Sequence, residues 1–262
     1  MTPMDIFLTR FAIAYVGLCL LAPKQLRAHS FLDEWFLVGL GITGGSLYFL
    51  TENMALVYSS ASNVSLLVTT TPLLTLLALR LCGYTKHLCA RQLWGAMLAL
   101  LGVCCVVFNG HFVLQLNIRG DLLALCAALM WALYSILLRR LGNRYDSRFL
   151  MRKVFFYGLL TALPVRWLLP TSSPLAWHSP IVWLNLLFLG LVASMICYLV
   201  WTLAMQRLGT MRATNYIYFN PVVTLLVAAL VLDERLTCVA AIGAVAILVG
   251  VWLAQKTDEQ EN

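Results

Sequence analysis

The sequence predicts an all-α polytopic membrane bundle of nine transmembrane helices, drawn from two inverted-topology repeats. Three observations carry this. Hydrophobic residues fill 61% of the 262 positions and charged ones only 11%, too few to cover a water-facing surface when soluble domains carry about 25%. Apolar stretches near the ~20 residues needed to cross a hydrocarbon core recur along the whole chain. The pattern Pro-x-x-Thr-Leu-Leu occurs twice, at Pro72 to Leu77 and at Pro221 to Leu226, 149 residues apart.

The first span, residues 4–21, is long enough to cross and is followed by no Ala-x-Ala-like cleavage site, so it is not a removable signal. The second, 35–58, carries Gly41 and Gly45 at the four-residue spacing that lets helices approach closely. The third, 61–81, is polar ahead of Pro72, and the fourth, 91–108, carries Gly95 and Gly102. Spans at 121–141, 149–169 and 181–203 follow. The eighth, 212–232, holds Pro221, and the ninth, 238–254, carries Gly243 and Gly250. Connections are short, so one membrane domain is expected, with a first repeat at 1–110, a second at 119–256 and a short polar tail at 257–262.

Basic residues orient the bundle. One set of alternate loops holds 14 of the 18 Lys and Arg, among them Lys24, Arg91, Arg144, Lys153 and Lys256; the other holds Arg119, Arg166 and Arg235. The excess of Lys and Arg on cytoplasmic loops places the C-terminus in the cytoplasm of an inner-membrane protein and Met1 outside. The net charge of +7 thus reports orientation, not nucleic-acid binding.

The third span matches the eighth, a shift of five helices. Because five is odd, the copies are inverted. Gly95 pairs with Gly243 and Gly102 with Gly250 at an offset of 148. The counterpart of the 121–141 helix would precede Met1, so a complete form is expected to begin with one more helix. Truncation, a misassigned start codon or a nine-helix form would each account for it.

Three stretches carry a family resemblance. Gly120 to Leu125 followed by Trp131-Ala132-Leu133-Tyr134 is similar to the opening of a second EamA repeat. Asn220-Pro221-Val222-Val223, leading to Leu232-Asp233-Glu234-Arg235-Leu236-Thr237, is similar to that family's Pro helix and terminal acidic element. The glycine helix from Ala241 to Gly250 follows. The chain thereby resembles EamA-type members of the drug/metabolite transporter (DMT) superfamily. The resemblance implies ten helices in two inverted five-helix repeats and a central cavity through which small metabolites are exported or exchanged.

Candidate site residues follow from the cost of polarity in a bilayer. Arg10 lies about 10 Å into the first helix and Glu52 about 9 Å from the outer end of the second, at 1.5 Å per residue. They are read as an ion pair holding two helices, as a pathway for substrate or protons, or with Arg10 snorkelling to the interface. Asn53 points about 100° from Glu52. Asn63, Ser65, Thr69, Thr70 and Thr71 either bond backbone and neighbouring helices or belong to a helix weakened at Pro72, whose freed carbonyls face a water-filled cavity. Pro221 would do the same in the inverted copy, with Asn215, Tyr216, Tyr218 and Asn220 upstream. Trp131 with Tyr134, and Tyr198 with Trp201, are spaced to share helix faces and either wall a pocket or pack. Trp35, Trp167, Trp177 and Trp183 suit interfacial anchoring.

The eight cysteines include no Cys-x-x-Cys pair and no metal-ligand cluster, and His29, His87, His111 and His178 fall in loops. No metal or cofactor is expected, and no Walker loop drives the protein with ATP. The expected function is secondary active transport of a small-molecule metabolite by alternating access, with Glu52 as the strongest proton-carrier candidate. A membrane-embedded enzyme or a non-transporting assembly partner are the alternatives. Substrate, direction and oligomeric state are left open.

Overall fold

The computed structural model describes residues 2–21, 27–84, 90–108, 117–142, 144–167, 179–231 and 237–255. Among these residues the secondary structure is helical throughout, in nine stretches that match the nine predicted spans. They are α1 (Pro3–Leu21), α2 (residues 31–58), α3 (61–81), α4 (Ala90–Phe108), α5 (Ile118–Gly142), α6 (Ser147–Arg166), α7 (Pro180–Leu208), α8 (210–231) and α9 (Cys238–Gln255). The acidic element at 233–235, the tail, Trp177, His87, His111 and His178 lie outside the described residues.

Among the described residues, six helices are long and apolar enough to cross a membrane by length and composition: Pro3–Leu21, Asn63–Leu81, Ala90–Val107, Ile118–Gly142, Pro180–Leu208 and Cys238–Gln255. In α2 the apolar run is diluted by Gly44, Gly45, Ser46 and Glu52, and in α6 by Arg148, Arg152 and Lys153. The protein is an all-α polytopic membrane bundle.

Four helices are not regular. α2 passes through a π-helical turn at Ile42–Ser46, and α7 through a longer one at Phe188–Ile196. The offset of 149 that relates Pro72 to Pro221 carries residues 42–46 onto 191–195, inside the second π segment, and Gly41 onto Gly190. The two irregularities are therefore the same feature in both copies. α3 breaks between Val68 and Thr71, and α8 tightens to a 3-10 turn at Tyr216–Phe219.

The polypeptide condenses into two compact units, each drawing on both halves of the sequence. The first comprises Met1–Asn53 and Tyr134–Gly209. Its core is aromatic: Phe11 meets Phe155 edge-on with ring centroids 4.7 Å apart and Phe49 at 5.4 Å, and Phe155 meets Tyr198 at 5.4 Å. Gly41 and Gly45 seat α2 on α6. A Cβ at Gly41 would lie 2.4 Å from Tyr157 Cβ, and one at Gly45 3.1 Å from Gly158 Cα, so the expected packing role is what this pair performs. Ion pairs close both ends of this unit. Arg166 Nε reaches Asp5 Oδ1 at 2.8 Å at one end. At the other, Arg144 bonds Asp33 at 3.1 Å and Lys153 bonds Glu34.

The second unit comprises Met54–Leu133 and Thr210–Asn262. Its spine is α4 packed antiparallel on α9. A Cβ at Gly95 would lie 2.6 Å from Gly250 O, and one at Gly250 2.6 Å from Gly95 O; Gly102 and Gly243 block each other's backbones in the same way. The repeat equates Gly95 with Gly243 and Gly102 with Gly250. Each glycine thus touches the counterpart of the other, as a two-fold axis between inverted copies requires. The Gly-Asp of the 120–125 stretch is also explained here. A Cβ at Gly120 would lie 2.6 Å from Ser59 Cβ. Asp121 accepts from the Ser59 hydroxyl at 3.0 Å and from the Asn117 amide at 3.1 Å, tying the start of α5 to the end of α2.

Candidate functional site

Proline removes an amide and leaves the carbonyl four residues upstream without its helical donor. In α3 that carbonyl belongs to Val68, and the Thr71 hydroxyl donates to it at 2.6 Å. Thr70 donates to Leu67 O and Thr69 to Ser65 O, both at 2.6 Å. The expectation of freed carbonyls at Pro72 facing a cavity is therefore corrected: three consecutive threonines satisfy the break locally, and Pro72 is buried. At Pro221 the orphan carbonyl is that of Ile217. The 3-10 turn brings the Asn220 amide onto it instead. The two copies solve one problem differently, by hydroxyls in the first and by backbone tightening in the second.

The other candidates of the second unit are scattered in exposure. Asn63 is buried and its amide donates to the N-cap Ser60 Oγ at 3.2 Å. Tyr216 and Asn220 are exposed, and Trp131 is half-buried. Tyr134 belongs to the first unit and Trp131 to the second, because α5 changes unit between Leu133 and Tyr134.

The first unit gathers the rest around its π turns. Tyr134 is fully buried with its ring against Gly44, where a Cβ would lie 2.3 Å from Tyr134 Cδ2. The Tyr198 hydroxyl donates to the Gly44 carbonyl at 3.0 Å. Tyr198 follows the second π segment by two residues and bonds the first, so the two irregular turns are linked directly. Trp201, one turn on, is half-buried.

Arg10 and Glu52 are both half-buried, and the direct ion pair allowed by their depths is not formed. Arg10 Nε donates to Ser194 Oγ at 2.8 Å, and its guanidinium carbon sits 4.7 Å above the centre of the Phe49 ring. Glu52, one turn beyond Phe49, accepts from the Tyr48 hydroxyl at 3.0 Å. The Asn53 side chain beside it makes no hydrogen bond among the described residues. Asp5 and Asp33, which are buried, and Glu34, which is half-buried, are the other carboxylates beneath the surface of this unit, and each has a basic partner within 4.0 Å. Among the described residues Glu52 has none, and Arg10 has no acidic one. Ser194, Tyr48, Phe49 and Gly44 complete this arrangement and were not anticipated. The four-residue spacing of Tyr48 and Glu52 was a usable signal for one of them; a lone serine in an apolar run gave none.

At the charged end, Glu34 accepts from Lys153, from the Tyr157 hydroxyl and from the Ala28 amide. Burial opposes its charge, but these donors outweigh burial and hold the carboxyl below its ordinary value. His29 stacks on Tyr145 with ring centroids 4.7 Å apart, and the Tyr145 hydroxyl donates to Asp33 at 2.8 Å.

An all-helical membrane bundle with helix breaks in both copies, and with opposite charges held beneath its surface outside a direct ion pair, fits a transporter. The sequence matches the EamA-like transporter family over residues 1–108 and 118–255, and the protein belongs to that family. It is 27% identical over 231 residues to an uncharacterized transporter of Archaeoglobus fulgidus, covering 87% of this chain and 78% of that one. It is 29% identical over 227 residues to a probable amino-acid metabolite efflux pump of Escherichia coli, covering 83% and 75%. A solved crystal structure superposes with a TM-score of 0.80 at 19% identity, covering 98% of this chain and 89% of the other, a likeness of fold. The protein is a multi-pass membrane transporter of small molecules, and not an enzyme.

Proposed function

We propose that this protein is a secondary active transporter of small metabolites bearing both a carboxylate and an amine, working by alternating access. One observation carries the reading: a guanidinium and a carboxylate on neighbouring helices of one unit, close enough to feel each other's charge but neither in a direct ion pair among the described residues. A charge at membrane depth costs about 2.5–3.5 kcal/mol even on the milder scales. Every other buried carboxylate of that unit is neutralised. Arg10 and Glu52 fit a transient partner of complementary charge, the carboxylate of the solute facing Arg10 and its ammonium facing Glu52. The name of the Escherichia coli relative, a probable amino-acid metabolite efflux pump, points to the same chemistry.

The two repeats, 1–110 and 119–256, would rock against each other, with the linked π turns of α2 and α7 as the points where the helices flex. Tyr134, Tyr198 and Trp201 would form the aromatic surroundings of the site. Asn53, Asn63, Thr70, Trp131, Tyr216, Asn220 and Pro221 are further candidates along the pathway. Glu52 would exchange a proton for the solute ammonium and so couple transport to a proton gradient. The protein would sit in the cytoplasmic membrane with its C-terminus inside.

The test is counterflow in proteoliposomes with a panel of radiolabelled amino acids, with and without an imposed pH gradient. Accumulation that responds to the gradient in wild type and not in Glu52→Gln supports the reading. A Glu52→Gln protein that transports with full pH dependence removes Glu52 from coupling, and absence of counterflow for the whole panel defeats the substrate class.

A further inference from the structure

Arg10 is touched twice by one stretch of the opposite repeat. The π segment Phe188–Ile196 opens near its start with Gly190. A Cβ there would lie 2.6 Å from Ile13 Cγ2 and 3.2 Å from the Arg10 carbonyl oxygen. Four residues further on, the fully buried Ser194 receives the Arg10 Nε hydrogen bond at 2.8 Å. Backbone and side chain of one arginine are thus gripped by a single irregular turn. The Phe49 face supplies the third contact.

Guanidinium chemistry makes this arrangement directional. Arg carries five N–H donors in a rigid planar fork. Ser194 occupies the Nε edge, and Phe49 fixes the plane. The two terminal nitrogens make no hydrogen bond among the described residues, so the four remaining donors are left for an oxyanion. Glu52, one turn along from Phe49, disfavours a doubly charged anion there and favours a carboxylate that arrives with its own positive group.

We infer that Ser194 is a positioning residue, which holds the Arg10 guanidinium so that its terminal nitrogens are presented to the carboxylate of the transported solute. This rests on the proposed carboxylate- and amine-bearing substrate. It adds a residue that touches no solute itself, delivered by a feature of α7 with a counterpart in α2. A serine that merely packs would influence every ligand alike. A serine that aims Arg10 influences only ligands with a carboxylate.

The experiment uses the purified full chain in nanodiscs and reads binding through its own tryptophans. The probes are the common amino acids, each beside its primary amide. In wild type, at least one acid outbinds its amide by tenfold or more. In Ser194→Ala that preference falls about tenfold, as loss of a hydrogen bond to a charged group implies, and the amide binds as before. Arg10→Lys keeps the charge but loses both the fork and the serine contact, and abolishes the preference. A panel in which no acid outbinds its amide in wild type overturns the role of Arg10 and the substrate class with it. A wild-type preference that Ser194→Ala retains, or an equal loss for acid and amide, overturns the positioning role alone.

Discussion

Replacing Gly102 by alanine places a methyl carbon 2.6 Å from the Gly243 carbonyl oxygen, 2.8 Å from the Ile247 amide nitrogen and 2.9 Å from Ile247 Cγ1. The first two are backbone atoms of a facing helix, so no side-chain rotation relieves them. α4 and α9 must separate by roughly an ångström to restore ordinary carbon contact distances of about 3.5–4.0 Å. In a bilayer the lipid tails supply no hydrophobic drive between helices, so close packing is what such a separation forfeits. Overpacking of this kind costs about 1–3 kcal/mol, and the upper end applies because the shift also loosens the Gly95–Gly250 contact on the same seam. Thermal unfolding in detergent, followed by fluorescence-detected size exclusion, should show Gly102→Ala melting several degrees below wild type. Gly243→Ala should match it. The double variant should lose less than the sum, since helices already parted for one methyl accommodate the second. Gly17→Ala is the control: its nearest obstacle is Met195 Sδ at 2.7 Å, part of a flexible side chain, and its cost should stay below about 1 kcal/mol. An unchanged Gly102→Ala melt, or strict additivity, would refute the two-fold seam as the spine of this unit.

Three further outcomes are expected. Thr71→Val leaves the Val68 carbonyl without its donor and should lower stability by about 1 kcal/mol in the same assay, whereas Thr71→Ser should behave as wild type. Tyr218 is 1% exposed and its hydroxyl has no partner among the described residues, so Tyr218→Phe should melt at or above the wild-type temperature; a clear loss would reveal a partner for that hydroxyl. Glu34 is held below its ordinary carboxyl value, so its contribution is fully present above the unfolded-state value of 4.5 and is lost as pH falls through the lower folded one. Glu34→Gln should therefore flatten the decline in melting temperature below about pH 4.5, and an identical acid profile for the two proteins would count against the Lys153–Glu34 clasp.

The number and placement of the helices were legible because a bilayer demands long apolar runs, and each run stands clear of its neighbours. The ends were less legible. Hydropathy starts the second span at residue 35, yet Asp33 and Glu34 form the first helical turn of α2, capped by Ser30 and neutralised by Arg144 and Lys153. Those partners lie more than a hundred residues away, where no local window reaches. Gly95, Gly102, Gly243 and Gly250 announced a repeat, but only antiparallel packing shows that each meets the counterpart of the other. The π turns were hidden because Ile42-Thr43-Gly44-Gly45-Ser46 looks like any small-residue contact. Hydrogen-bond register is not written in composition. Arg10 and Glu52 were visible as costly charges. Ser194 was visible only as one hydroxyl among apolar neighbours, so the partner that Arg10 adopts could not be read from the sequence.

The exchange of segments between the two units has a consequence for biogenesis. As the chain leaves the ribosome, α4 enters the membrane well before α9, the helix that buries its glycine seam. The first unit can close once Gly209 has been made, but the second waits for the last helix. During that interval Gly95 and Gly102 line an empty groove, open to lipid, an insertase or another nascent chain. A protein cut between residues 108 and 118 and expressed as two fragments would yield no unit from either piece alone, yet two complete units when both are present. Neither repeat contains a complete unit by itself.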